Sequence, residues 1–181
     1  MIQKQIIFIT GNKGKLMEAQ SILPQIVGKE IELPEIQEID AEKIIEAKLR
    51  EAYKHHQGEY IVEDTSLYIE ALNGLPGPLI KWFLQTLGDE GLANLVLKYD
   101  NRKAVAKTIA GHINEQGETN YFSGEIAGEI VSPAGDGGFG WDKIFKPENF
   151  DKTFGQMTRE EKNKISMRKI ALEKLAAHIV K

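Results

Sequence analysis

The sequence predicts an α/β protein in which a mixed β-sheet carries helices on its faces. Three observations point there. Apolar runs and helical patterns open the chain in the order β-α-β-α-β, as a layered α/β fold requires. Two longer β-rich runs follow, residues 103–114 and 119–132, with a hairpin turn at Glu115-Gln116-Gly117 between them. A helical pattern then closes the chain. At 181 residues, with 41% hydrophobic and 28% charged content, the chain can bury one substantial core, and we read residues 1–181 as a single domain.

The first strand is expected over residues 5–10, a run rich in β-branched residues, and a helical pattern follows at about 14–23. A second strand is expected at 30–33 and a third at 60–62. Helices are expected at about 41–56, 79–98 and 159–180. Thr158-Arg159-Glu160-Glu161 has the form of a capping box, a hydroxyl residue with a glutamate three positions on. It marks a helix start, with room for a short helix before the final one.

Bulk chemistry removes several function classes. There are no cysteines, hence no disulfide, thiolate nucleophile or zinc-thiolate site, and this composition suits a reducing cytoplasm. The formal charge of −4 argues against a general nucleic-acid binder. The four histidines lack metal-ligand spacing, which disfavours a structural zinc or a Ser-His-Asp hydrolase. No apolar run approaches the length of a bilayer span, and the first ten residues are too short for a secretory signal. We therefore expect a cytoplasmic protein with neither membrane nor nucleic acid as partner.

The first strand breaks into Thr10-Gly11-Asn12-Lys13-Gly14-Lys15. A P-loop needs four residues between its first glycine and the Gly-Lys pair, then Ser or Thr; here two residues intervene and Leu16 follows. The loop still has elements suited to phosphate: glycines that admit close approach, lysine charge, and a helix aiming free N–H groups at an anion. An ordinary β-to-α turn with solvated lysines is the competing reading.

Acids gather at expected strand ends. Tyr60-Ile61-Val62 runs into Glu63-Asp64-Thr65-Ser66, and Glu35 lies just past the 30–33 run. Ligands in α/β folds collect beyond the carboxyl ends of strands, where carboxylates can hold magnesium or orient a water. The alternative is a polar turn. Within the helical patterns, Lys48 falls inside the arc of Ala41, Ile45, Leu49, Ala52 and His56, and Arg168 inside that of Ile165, Leu172, Leu175, Ala176 and Ile179. Each either snorkels at the edge of the core or reaches a pocket rim and meets an anion. Lys81 is a third such cation, placed after the stiff Leu75-Pro76-Gly77-Pro78 turn and beside Trp82 and Phe83.

Gly135-Asp136-Gly137-Gly138-Phe139-Gly140-Trp141-Asp142 is too glycine-rich for a regular strand. Phe139 or Trp141 could stack on a base while an acid or backbone group reads its edge; the bland reading is aromatics that plug the core. A phosphate loop, acids for magnesium, scattered cations and an aromatic clamp together suggest a nucleoside triphosphate.

These segments resemble the inosine triphosphate pyrophosphatase (Ham1-like) family from end to end. The markers are the Thr10 to Lys15 loop, Leu33-Pro34-Glu35, Val62 to Leu67, Gly74 to Pro78 with Ile80-Lys81-Trp82-Phe83, Phe139-Gly140-Trp141-Asp142, and Glu161-Lys162-Asn163 leading to Ser166-Met167-Arg168. The resemblance implies a magnesium-dependent hydrolase that cleaves inosine, deoxyinosine and xanthosine triphosphates between the α- and β-phosphates, clearing aberrant purine nucleotides. It also implies a homodimer and an elongated mixed sheet with two lobes around a central substrate cleft. Carried over by position, Thr10, Gly11, Asn12, Lys13, Gly14, Lys15 and Lys48 would contact phosphate. Glu35 and Asp64 would lie at the magnesium, with Asp64 as the base for the attacking water. Thr65 would neighbour the phosphates, and Lys81 and Lys162 would line the cleft. Phe139 would stack on the base, Gly140, Trp141 and Asp142 would bound its edge, and Arg168 would face the 6-oxo group or a phosphate. The family usually reads Ser-His-Arg where this chain has Ser166-Met167-Arg168, so Met167 implies retained hydrolysis with altered base discrimination.

Two rivals stand beside this reading: a septum-inhibitor (Maf-like) pyrophosphatase acting on modified pyrimidine or methylated nucleotides, and a nucleotide sensor without catalysis. A module with a purely structural role is the third, and it leaves Lys48 and Arg168 without a shared reason.

Overall fold

The structure, a computed structural model, describes residues 6–179. Over these residues the chain runs β1 (Ile6–Ile9), α1 (Lys13–Ile22), β2 (Ile26–Lys29), α2 (Ala41–His55), β3 (Tyr60–Ile69), β4 (Pro76–Gly77) and α3 (Ile80–Val96). It continues with β5 (Lys103–Ile113), β6 (Thr119–Ile130), β7 (Phe145–Pro147), α4 (Arg159–Ile165) and α5 (Met167–Ile179). The seven strands form one sheet in the order β2-β1-β3-β5-β6-β7, with β4 paired to β3. The sheet is mixed: β1 is parallel to β2 and β3, while β3–β4 and β6–β7 are antiparallel. Two compact units emerge, unit 1 from described residues within 1–64, 108–124 and 168–181, and unit 2 from 65–107 and 125–167. No helix among the described residues is long and apolar enough to cross a membrane.

In unit 1 the sheet is covered on both faces, as parallel strands require. Ile6, Phe8, Ile26 and Ile61 pack with Ala19 and Leu23 of α1 and with Ala171, Leu172 and Leu175 of α5. Ile9, Tyr60 and Val62 pack instead with Ala41, Ile45, Leu49 and Ala52 of α2. The arc expected on α2 is largely this buried face, but Ile44 joins it, whereas His56 is exposed and caps the helix end.

The second strand lies four residues earlier than the sequence suggests. Ile26–Lys29 pairs with β1 from Ile6↔Ile26 to Ile9↔Lys29, and residues 30–33 have no regular structure. Gly28 explains the choice. A Cβ there would sit 2.4 Å from Leu16 Cδ2, so only glycine lets α1 settle this closely on β2. The alternation of Ile31 and Leu33 mimics a strand, but among the described residues no strand pairs with it.

In unit 2, Leu67, Ile69, Ala104, Ala106, Ile130 and Phe145 meet Ile80, Leu92, Ala93 and Val96 of α3 around a second core. Helix α3 is interrupted at Gly88, whose φ of 71° no helix accommodates. The helical pattern expected over 159–180 resolves into two helices over the described residues, the short α4 for which the capping box left room and then α5. Ser166 adopts an extended conformation (φ −66°, ψ 146°) between α4 and α5, and α4 starts with the anticipated capping box, Thr158 and Glu161 satisfying each other's backbone N–H. The hairpin turn holds: Asn114 N–H donates to Glu118 O at 3.1 Å, and Gly117 takes φ 80°.

At Gly111 the backbone of β5 closely approaches α2: a Cβ there would lie 2.2 Å from Ile45 Cγ2 and 3.0 Å from Leu49 Cδ1. Gly111→Ala should therefore destabilise the chain by about 1–3 kcal/mol through overpacking, read as a lowered midpoint in denaturant unfolding.

Candidate active site

The connections of unit 1 define a crevice. From β1 the chain passes through α1 to β2 on one side, then through α2 to β3 on the other side of β1, with the two helices on opposite faces. Strand order therefore reverses between β1 and β3, and such a switch point opens a ligand site beyond the carboxyl ends of the strands. Because β1 and β3 are parallel with Ile7↔Tyr60 and Phe8↔Ile61 in register, the 10–15 loop leaves β1 beside Glu63 and Asp64 of β3. The parallel β2 delivers the segment that carries Glu35 from the same end of the sheet.

The loop is organised by Asn12. Its side-chain oxygen accepts from Gly14 N–H at 2.9 Å and Lys15 N–H at 3.1 Å, while its own N–H donates to Thr10 Oγ1 at 3.1 Å. Asn12 thus caps α1 and fixes the turn. Lys13 is exposed, and Lys15 sits at the third position of the helix.

Period-two alternation along β3 separates the two acids. Ile61 faces α1 and α5, so Glu63 does too; Tyr60 and Val62 face α2, and Asp64 follows them. Both acids lie inside a ten-residue strand, so the polar-turn reading does not hold. Glu63 is buried with a side chain 1% exposed, and Lys15 Nζ lies 2.6 Å from its Oε1. Arg168 donates from Nε to Glu63 Oε2 at 2.7 Å and from Nη2 to Oε1 at 3.4 Å, and from Nη1 to Glu18 Oε2 at 2.7 Å. Burial pushes the Glu63 carboxyl up, but the adjacent charges of Arg168 and Lys15 outweigh it and hold the group at about 2. Burial likewise opposes the charge on Arg168, and Glu63 and Glu18 override it, raising its proton affinity.

On the α2 face, Lys48 Nζ pairs with Glu35 Oε1 at 2.5 Å, the lysine side chain being mostly covered. Among the described residues no three His, Cys, Asp or Glu side chains gather into a ready metal cage.

Unit 2 holds the remaining predicted residues. Lys162 and Asp142 form a buried pair at 2.6 Å, and Asp142 Oδ2 also accepts Phe139 N–H at 2.8 Å. Lys162 Nζ lies 4.8 Å from the Phe139 ring centroid, and that ring is 49% exposed. Gly138 (φ 75°) makes this possible, since a Cβ would meet Asp142 Oδ2 at 2.3 Å. The two aromatics of the loop differ: Trp141 is 6% exposed and packs edge-on to Phe145, so it plugs the core while Phe139 is presented. Gly140 takes φ 63° between them. Met167, 2% exposed, also belongs to the apolar core. Thr65 is half-buried on β3, and Lys81 is exposed in the first turn of α3 with its ammonium 5.6 Å from the Trp82 ring.

A cavity of about 620 Å³ in unit 2 involves none of these residues. Its charged lining is Glu70, Glu129, Glu148 and Asp151 against Lys103 and Lys146, and Lys146 is paired to Glu129 at 2.7 Å. That acidic excess suits no polyphosphate.

Sequence reasoning passed over Glu18 and gave Glu63 no role of its own. The signals were there: Glu18 lies one helical turn beyond Lys15, and Glu63 has the strand parity of Ile61.

A reversed strand order, a capped glycine-lysine loop at the switch point and acids on the next strand define a doubly wound α/β protein with a crevice beside that loop. The Ham1 family profile matches residues 6–178, and the chain belongs to that family. An inosine triphosphate pyrophosphatase of Schizosaccharomyces pombe is 40% identical over 178 residues, spanning 96% of this chain and 94% of that one. An inosine triphosphate pyrophosphatase of Pyricularia oryzae is 42% identical over 179 residues, spanning 97% and 93%. The solved structure of the Staphylococcus aureus Ham1 protein superposes with a TM-score of 0.85 at 28% identity, covering 98% of each chain. Membership sets aside the septum-inhibitor resemblance.

Glu63 also predicts a stability profile. Its folded carboxyl sits at about 2 against an ordinary 4.5, so the unfolded chain takes up this proton first as pH falls. The contribution, roughly 3 kcal/mol, is complete above the ordinary value and disappears as pH drops toward the folded one. Denaturant unfolding without divalent cations, from about pH 6 to about pH 2.5, should lose stability more steeply in the wild type than in Glu63→Gln. Equal slopes would contradict the assignment.

Proposed function

We propose that this chain is a magnesium-dependent nucleoside triphosphate pyrophosphatase. It hydrolyses inosine, deoxyinosine and xanthosine triphosphates to the monophosphate and pyrophosphate. The observation that carries the reading is the convergence, at one switch point, of the capped 10–15 loop, Lys15, and the acids inside β3 that lie beside that loop. The names of the fungal relatives support the substrate class. A homodimer in the cytoplasm belongs to the same reading; light scattering of the purified chain tests the dimer.

The donor set suits magnesium. Glu35 and Asp64 offer hard carboxylate oxygens without a closed cage, and magnesium is commonly held by one or two carboxylates together with substrate phosphates. When bound, the ion would neutralise charge on the phosphate oxygens. The 10–15 loop would bind the phosphate chain through its backbone and lysines. Lys48, beside Glu35, adds positive charge on the face to which Asp64 points. Asp64 would accept the proton of a water attacking the α-phosphorus, and the bond to the bridging oxygen breaks to release pyrophosphate.

Phe139 offers a stacking face for a base, with Asp142 anchoring its backbone. One of the three Lys162 N–H groups is taken by Asp142. A remaining donor suits a 6-oxo purine, whereas the amino group of adenine would set donor against donor; hydrogen-bonded sites of this kind discriminate by about 10⁴. Met167 can offer the base no comparable hydrogen bond, which leaves this recognition to Phe139, Asp142 and Lys162.

Inosine, xanthosine, guanosine and adenosine triphosphates should be assayed with pyrophosphate and orthophosphate measured separately. Fast pyrophosphate release from the first two is expected; orthophosphate, or indifference to the base, contradicts the proposal. Asp64→Asn should lower kcat by at least about 10²-fold while nucleotide binding stays measurable by calorimetry. Near-normal turnover in that variant removes Asp64 as base.

A further inference from the structure

We propose that Glu63 is a positioning residue for the reaction: one carboxylate oxygen, braced by Arg168 on the other, fixes the direction in which Lys15 presents its ammonium to the phosphates. The inference rests on the hydrolase reading above and adds to it a residue that touches no substrate.

The geometry is a closed loop of charges. Lys15 stands in the first turn of α1 and is a long, flexible side chain with a compact charge. Its ammonium meets Glu63 Oε1 at 2.6 Å, and the side chain remains 22% exposed, so one flank faces the carboxylate and another stays accessible. Glu63 itself cannot wander. It hangs from the interior of β3, and Arg168, 1% exposed, grips it from Nε and Nη2. The third guanidinium nitrogen returns to α1 through Glu18, one turn beyond Lys15. Strand, helix and C-terminal helix are thereby tied at one buried point, and of these four side chains Lys15 is the most open to solvent.

Two cations and two carboxylates sum to zero, so the network is no net attractor for a polyanion. What it supplies is direction. This distinguishes the role from a contact that simply binds: neutralising Glu63 leaves surplus positive charge near the phosphates, which favours their binding, yet frees Lys15 to sample other rotamers. Misplacing a charged group by about 1 Å can cost about 10²-fold in rate.

The test is a double-mutant cycle on the full chain with magnesium and inosine triphosphate, comparing wild type, Glu63→Gln, Lys15→Met and the double variant by pyrophosphate release. Glu63→Gln should lower kcat by about 10- to 100-fold with KM unchanged or reduced. In the Lys15→Met background the same change should lower kcat by less than about twofold, because the group it positions is gone. Equal losses in both backgrounds, or a raised KM with kcat intact, overturn the proposal. If Glu63→Gln does not fold, Glu63→Asp keeps the charge but withdraws the carboxylate by one methylene, and the cycle run with that variant supports or overturns the proposal by the same criteria. A wild type that releases no pyrophosphate sinks the hydrolase reading and this inference together; additivity in an active enzyme sinks this inference alone.

Discussion

The parallel pairing of β1 with a neighbour on each side is the constraint on which the rest of unit 1 depends. Registering Ile6 on Ile26 and Ile7 on Tyr60 makes three strands end in the same direction. It also forces the two connecting helices onto opposite faces, since each crossover is right-handed and the second must step back over β1. Everything chemical in this unit follows from that step. The loop after β1, the segment after β2 and the acids of β3 arrive at one edge because the sheet delivers them there, and strand alternation then sends Glu63 and Asp64 to different faces.

Separating the acids gives them different surroundings. Glu63 enters a space walled by α1 and α5, where a carboxylate survives as an anion only with charged partners, and Lys15 and Arg168 provide them. Asp64 points toward the α2 face, where the Lys48–Glu35 pair lies. One residue is locked by burial and two cations, and its neighbour lies on the opposite face of the strand. Unit 2 repeats the device: Asp142 and Lys162 are buried against each other so that Phe139 is held by its backbone while its ring stays open.

Much of this was legible in the chain. The β-branched run before Thr10, the helical arc of Ala41, Ile45, Leu49 and Ala52, and the Thr158–Glu161 capping box each rest on short-range physics that sequence records directly. The second strand was misplaced because the pattern of Ile31 and Leu33 satisfies local propensity, whereas Ile26–Lys29 wins through pairing with β1 and the space Gly28 leaves for Leu16. A short helix before the last was allowed for, but the place of the break, Ser166, was not legible: helical spacing continues through it, while Ile165 packs in the core of unit 2 and Leu172 in unit 1. Arg168 stood out as a cation inside an apolar arc, and the structure buries it. Its partners, Glu18 and Glu63, lie 150 and 105 positions away, and no local pattern encodes such a meeting.

The central claim is that the phosphates bind at the β1/β3 switch point. A crystal structure with magnesium and an inosine triphosphate analogue whose α,β-bridge resists hydrolysis tests it most directly. The account predicts the phosphate chain against the 10–15 loop, within hydrogen-bonding distance of Lys15 and on the side of β3 that carries Asp64. Phosphates seated instead in the cavity bounded by Lys103 and Lys146, with the loop unoccupied, would contradict it.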